Sequence, residues 1–274
     1  MSEDAVTGPG GRVDAAVDVT VPHSPRIWNY WLGGKDHYEV DRAVGDQFVG
    51  IYPDIVPIAR HSRAFLCRAV THLAGERGIR QFLDIGTGLP TLDNTHEVAQ
   101  RTAPDARIVY VDNDPMVLTH ARALLTSSAQ GATHYLDADL RDPDTIVERA
   151  GRLLDFDRPI ALILLNVLGH VEDLTEAVSI VRRLMAALPP GSHLVSADGT
   201  NVITGAAFEH AISLWNEVGR PTYHLRGTEQ LALFYEGLEL LEPGVVSCSR
   251  WRAPATPFGE PAQVDEFGAV ARKP

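Results

Sequence analysis

The chain has 274 residues, 45% apolar and 22% charged, a globular composition that excludes wholesale disorder. Twenty-four basic residues against 36 acidic ones give a net charge of −12, the wrong sign for a protein that binds nucleic acid by neutralising phosphates. The two cysteines, Cys67 and Cys248, sit in no Cys-x-x-Cys or Cys/His run, which excludes a disulfide framework and a zinc site of the usual spacing.

No metal site is expected. The longest apolar run, Pro159 to Leu165, is far short of a membrane span. The N-terminus lacks a basic segment followed by an apolar one, so no signal peptide is evident. A cytoplasmic protein with no membrane partner is expected. Whether it forms a homo-oligomer is left open.

Residues 1–21 are small, polar and without period, and read as a disordered leader. Residues 22–78 read as a helical cap. Ser24-Pro25 is a helix start, and Gly33-Gly34 a stop. Asp36-x-x-Glu39 resembles a capping box for a second helix. A third helix follows Pro53, with apolar positions at Ile58, Phe65, Leu66, Ala69, Val70 and Leu73.

Residues 79–252 then alternate strands with helices. Strands are expected at 81–85, 107–111, 133–136, 160–165 and 193–197. The helix over 172–188 carries Leu174, Ala177, Val178, Val181, Leu184, Met185 and Leu188 on one face. This alternation implies a parallel sheet covered on both faces. Residues 238–241 and 245–250 are strand-like and flank Glu242-Pro243-Gly244. Their spacing predicts a hairpin and an antiparallel last strand. Residues 253–274, with four prolines, read as an irregular tail.

The first strand runs into Asp84-Ile85-Gly86-Thr87-Gly88. Glycines there allow a sharp turn and close approach of a ligand to the backbone. Asp112 ends the next strand, 24 residues beyond Gly88, where a carboxylate can accept both ribose hydroxyls of an adenosine ligand. A dinucleotide loop needs a third glycine, but that position is Thr91, and the next helix starts late, at Asn94. This disfavours NAD and fits a nucleoside without phosphate, such as S-adenosylmethionine. Asp137 and Asp139 follow the third strand, where an acceptor can meet the adenine amino group. Asn166 and His170 follow the fourth, at the expected substrate crevice.

These motifs resemble class I S-adenosylmethionine-dependent methyltransferases. More narrowly, the chain resembles an actinobacterial S-adenosyl methyltransferase family. The resemblance rests on Pro22 to Ile27, Leu32-Gly33-Gly34-Lys35-Asp36, Phe82 to Thr91, Asn94 to Gln100, Tyr110 to Pro115 and Leu238 to Gly244. It implies a Rossmann-like α/β fold: a seven-stranded, mostly parallel sheet with an antiparallel last strand, under an N-terminal helical cap. It implies S-adenosyl-L-methionine as cofactor. Asp84 and the loop Gly86, Thr87 and Gly88 would surround its methionine end. Asp112 and Asn113 would hold the ribose, Asp139 would lie near adenine, and Asn166 would contribute from the fourth strand.

Lys35 is one of only two lysines, which marks Lys35 and its neighbour Asp36 as candidates for contact with the cofactor carboxylate or the acceptor. Asp36, His37 and His170 are candidate bases. In-line transfer from a sulfonium needs positioning and exclusion of water more than a nucleophile of the protein's own. A small-molecule methyl acceptor is expected. The alternatives are a non-catalytic module that binds the same ligand and, less favoured, an NAD-dependent oxidoreductase.

Overall fold

A computed structural model describes residues 18–124, 127–255, 257 and 259–274. Most of the expected leader, residues 1–17, lies outside the described residues; Asp18 to Val21 form neither helix nor strand.

Three helices come first: α1 (Ser24–Trp31), α2 (Glu39–Ile51) and α3 (Ile55–Gly75). Pro25 sits in the first turn of α1, where a missing N–H costs nothing. α2 begins later than the Asp36–Glu39 pattern suggests. The carboxylate that reaches back is Asp41, which accepts the Tyr38 amide at 2.8 Å. Asp41 is buried and lies 2.9 Å from the Arg26 guanidinium. Arg26 also donates to the carbonyls of Asp18 and Val21, tying the preceding segment to α1.

The strands are β1 (Gln81–Ile85), β2 (Arg107–Asp112), β3 (Ala132–Asp137), β4 (Ala161–Leu165), β5 (His193–Gly199), β6 (Glu239–Leu240), β7 (Val246–Ser247) and β8 (Glu266–Arg272). The helices among them are α4 (Thr95–Thr102), α5 (Pro115–Leu124), α6 (Pro143–Ala150), α7 (Leu174–Ala187), α8 (Ala206–Val218) and α9 (Thr228–Ala232). The five expected parallel strands all form, with ends within two residues of expectation.

The sheet order is β3-β2-β1-β4-β5-β8-β6, with β7 also on β8. β1 to β5 are mutually parallel; β8 is antiparallel to its neighbours. Every residue of β1 and β5 is buried, because helices cover both faces. Leu83, Val109, Leu162 and Leu164 face α6 and α7. Phe82, Ile108, Ile163 and Val195 face α3 and α4. A third cluster joins Ile27, Trp31, Phe48 and Ile58 of the first three helices to Phe208, Ala211 and Trp215 of α8. α3 therefore spans two cores, its first half in the helical cluster and its second against the sheet.

Two expectations about the C-terminal region are corrected. Residues 238–250 do not form a hairpin. β6 and β7 run in the same direction and both pair with β8: Leu240 faces Ala271, and Val246 faces Gly268. They are two halves of one edge strand, interrupted by a loop around Glu242-Pro243-Gly244. The tail is not irregular throughout either. Its residues Glu266–Arg272 form β8, the antiparallel strand inserted between β5 and β6. The strand is held by seven register pairs with β5, which outweigh the weak strand preference of its Gly268, Ala269 and Ala271. Among the described residues no helix is long and apolar enough to cross a membrane.

Candidate active site

In an open parallel sheet the ligand crevice lies at the carboxyl ends of the strands where the connections diverge. β1 is that place here, with β2 on one side and β4 on the other. A cleft of about 190 Å³ lies there, roofed by α1 and α3.

The floor is the turn after β1. Gly86 has φ +73° and Gly88 φ +63°, a backbone region that disfavours side chains. A Cβ on Gly86 would overlap the Val167 side chain, whereas a Cβ on Gly88 would meet nothing within 4 Å. The first glycine is thus needed for packing against the β4 turn, and the second leaves room for a ligand. The Gly88 amide donates to Asp112 Oδ2 at 3.0 Å. The Asp114 amide donates to Asp112 Oδ1 at 3.0 Å. A carboxylate offers about four acceptor positions, so with the Asn113 amide also bonded to it Asp112 still keeps acceptor capacity for a ligand hydroxyl.

Asp84 and Asp112 are both buried, and burial pushes each carboxyl up to about 6. For Asp84 the Thr95 hydroxyl, donating at 2.6 Å, and the Arg63 charge pull in the other direction. Arg63 projects from α3 into the cleft wall. Its Nε is buried and has no hydrogen-bond partner among the described residues.

Asp84, Gly86, Thr87, Gly88, Asp112, Asn113, Asn166 and His170 all line the cleft. Asp139 does not; it stands one residue behind, accepting from the Asn113 amide at 3.2 Å. Asn166 takes φ +53°, and its Nδ2 donates to Ser62 Oγ and Glu266 Oε1, each at 3.0 Å. His170 Nδ1 donates to the Thr222 carbonyl at 2.7 Å, which leaves Nε2 with a lone pair. Burial lowers its pKa to about 4, against the opposing pull of Thr222, so the ring is neutral.

The structure does not bring Lys35, Asp36 or His37 into the cleft. Lys35 is exposed. The Asp36 amide bonds Asn29 Oδ1 at 3.0 Å, and His37 Nε2 meets the Gly34 carbonyl at 3.2 Å. The Gly-Gly-Lys-Asp loop acts by closing on Asn29, whose side chain occupies the space a Cβ on Gly34 would need. Asn29 itself lines the cleft. The scarcity of lysine carried no information about direction.

Sequence reasoning missed Arg63 and Ser62. Their signal was a polar pair on the face formed by Ala59, Ser62, Arg63 and Leu66, at i, i+3, i+4 and i+7 of a helix otherwise apolar on that side.

α4 begins at Thr95, seven residues past Gly88, and its first turn is capped by its own side chains. The Asn94 amide donates to Glu97 Oε2 at 2.7 Å. The helix terminus therefore does not present free amides to a pyrophosphate, in keeping with a ligand that has none.

The site's polar groups fit an adenosyl amino acid: acceptor capacity on Asp112, the Arg63 Nε without a partner among the described residues, and open space over Gly88. No curated protein matches the chain in sequence. A DUF574 family protein from Streptomyces avermitilis MA-4680 is 41% identical, with a TM-score of 0.88 over 94% of this chain and 99% of that one. A protein from Thermobifida fusca YX is 39% identical, with a TM-score of 0.83 over 93% of this chain and 96% of that one. A SAM-dependent methyltransferase from Anabaena variabilis ATCC 29413 is 14% identical and shares the fold, with a TM-score of 0.50 over 94% and 99%. The S-adenosyl methyltransferase family model matches residues 11–274. The chain belongs to the S-adenosyl methyltransferase family, a class I α/β fold whose methyl donor is S-adenosyl-L-methionine.

Proposed function

We propose that this chain methylates a small molecule, with Asp112 holding the donor's ribose and Arg63 its carboxylate. The observation that supports this most is the pairing, in one cleft, of a buried carboxylate with acceptor capacity left over and a half-buried arginine whose buried Nε has no partner among the described residues. Bound there, the sulfonium supplies an electrophilic methyl carbon. The protein's work is then to orient, to exclude water and to accept a proton.

Gly86 and Gly88 let the backbone come close to the amino-acid end. Asn113, braced by Asp139, lies beside the ribose position. Asn166, fixed by Ser62 and Glu266, closes the side next to β4. Trp28, Asn29 and Leu66 shield the cleft from solvent. The net charge of −12 favours a small acceptor over a nucleic acid.

Calorimetric titration tests this directly. S-adenosylmethionine and S-adenosylhomocysteine should bind the wild type and NAD should not. Asp112→Ala and Arg63→Met should each weaken binding by about tenfold or more, the loss of one charge-assisted contact. Binding of NAD, or no binding of either sulfur ligand, would overturn the proposal. Acceptor-dependent release of S-adenosylhomocysteine then separates an enzyme from a binding module.

A further inference from the structure

The cleft adjoins a second, apolar chamber of about 50 Å³ between the first three helices and α8. Ser24, Trp28, Asn166 and His170 border both spaces. Beyond that junction the wall is aromatic: Trp31, Phe48, Phe208, Trp215 and Tyr223. Among the described residues no Asp, Glu, Lys or Arg lines it.

Several polar atoms at and beside the junction are committed. The Tyr223 hydroxyl donates to Asp198 Oδ1 at 2.8 Å. Both Asn166 Nδ2 hydrogens are spent on Ser62 and Glu266. His170 Nδ1 is spent on Thr222. The His170 Nε2 lone pair has no protein partner among the described residues, and the Ser24 hydroxyl also borders the junction. A ligand that places a charge here, or several polar groups, would leave them desolvated and unpaired. A ligand with a single O–H at the junction would leave none. Size restricts it further. An apolar cavity of about 150 Å³ takes a benzene ring. The smaller chamber therefore seats the far edge of one ring, and the substituted edge lies in the junction.

We propose that the chamber and the junction together hold an uncharged, single-ring aromatic acceptor bearing one hydroxyl, and that His170 Nε2 receives the hydroxyl proton. This rests on the methyltransferase reading above. In the step, a hydroxyl lone pair forms the C–O bond to the methyl carbon. The C–S bond breaks, and its electron pair stays on sulfur, giving neutral S-adenosylhomocysteine. The proton passes from oxygen to Nε2, so the positive charge leaves sulfur and ends on the imidazole. A neutral, weakly basic ring suffices, because the oxygen's proton becomes strongly acidic as the C–O bond forms.

The test uses the full chain saturated with S-adenosylhomocysteine, and calorimetry with 4-methylphenol as probe. 4-Methylanisole lacks the O–H, 2-naphthol adds a ring, and 4-hydroxybenzenesulfonate adds a charge. 4-Methylphenol should bind about tenfold or more tighter than each of the three. Ile212 lines the chamber but not the cleft. Ile212→Trp should cut 4-methylphenol affinity at least about tenfold and leave S-adenosylhomocysteine affinity within about twofold. Ile212→Phe serves if the larger residue prevents folding. His170→Ala should abolish the preference for 4-methylphenol over 4-methylanisole. If the loaded protein does not bind 4-methylphenol, or the filled chamber binds it equally well, the acceptor proposal is overturned and the methyltransferase reading stands. If S-adenosylhomocysteine itself does not bind, both fall.

Discussion

His23 Nδ1 lies 2.9 Å from Asp114 Oδ2, joining the residue before α1 to the turn after β2 across the mouth of the cleft. Burial alone would raise the Asp114 carboxyl. The His23 ring and the amides of Met116 and Val117 outweigh it and hold the group below its usual value. Both residues line the cleft, and a ligand that enters between α1 and the turn after β2 would have to open or shift this contact. A partly exposed pair of this kind contributes about 1 kcal/mol, which is ~5-fold in an equilibrium constant. His23→Ala should therefore speed release of S-adenosylhomocysteine several-fold. Stopped-flow tryptophan fluorescence reads this, because Trp28 stands in the same wall. An unchanged release rate would mean that the pair does not gate the cleft.

The two glycines after β1 should fail in different ways. Gly86→Ala places a methyl group into Val167 at a positive φ, so the loss should appear in stability, about 1–3 kcal/mol in urea titration. Gly88→Ala meets no protein atom. Its fold should lose about 1 kcal/mol from the backbone alone. Its affinity for S-adenosylhomocysteine should drop by about tenfold or more, because the methyl group enters the ligand's space. Equal ligand affinity in Gly88→Ala and wild type would place the ligand elsewhere.

Glu266 is buried beneath Asn166, and burial pushes its carboxyl up to about 7. The sign follows from that direction. An acid raised in the fold adds most stability at low pH. As pH rises above 4.5 the unfolded chain ionises freely while the folded one resists. Stability is lost until about pH 7 and the loss then levels off. A shift of this size corresponds to about 3 kcal/mol. Glu266→Gln keeps an oxygen for Asn166 and cannot ionise. Its melting temperature should exceed that of the wild type by little at pH 5 and by several degrees at pH 8. Parallel curves across that range would contradict this.

Arg26 and Asp41 form an ion pair with side chains only 3% and 0% exposed, and Asp41 also accepts the amides of His23 and Tyr38. Asp41→Ala strands a buried guanidinium and two amides. About 3–5 kcal/mol should be lost. Hydrogen exchange should accelerate first in α1 and α2. The paired replacement Arg26→Met with Asp41→Leu should recover part of the loss, since it removes both charges. If it recovers nothing, the amides rather than the ion pair account for Asp41's contribution.

Much of the fold could be read from local pattern. β1 announced itself as an apolar run ending in glycines, and α7 as a stripe at helical spacing. The ligand loop was legible because glycine spacing and the carboxylate of Asp112 are fixed by backbone geometry near in sequence. β8 was not. Its Gly268 looks like a turn residue, yet it is glycine because a Cβ would overlap the Ser196 carbonyl of the neighbouring strand. That reason is tertiary and leaves no local trace. Arg63 was missed for the same cause: a helical arginine reads as solvated until the sheet places Asp84 opposite it. Lys35 shows the reverse case: rarity in composition marked it, and the structure leaves it outside the cleft.

The position of β8 bears on how the chain is made. Residues 266–272 slot between β5 and β6, which leave the ribosome earlier. Until that last strand emerges, β5 shows the nascent chain an unpaired edge, open to wrong partners. Synthesis at about 5–20 residues per second leaves that edge exposed for about 3–15 seconds after β5 appears. A message truncated shortly before codon 266 would yield the whole cleft-forming half with its sheet unfinished, a species expected to aggregate rather than to bind.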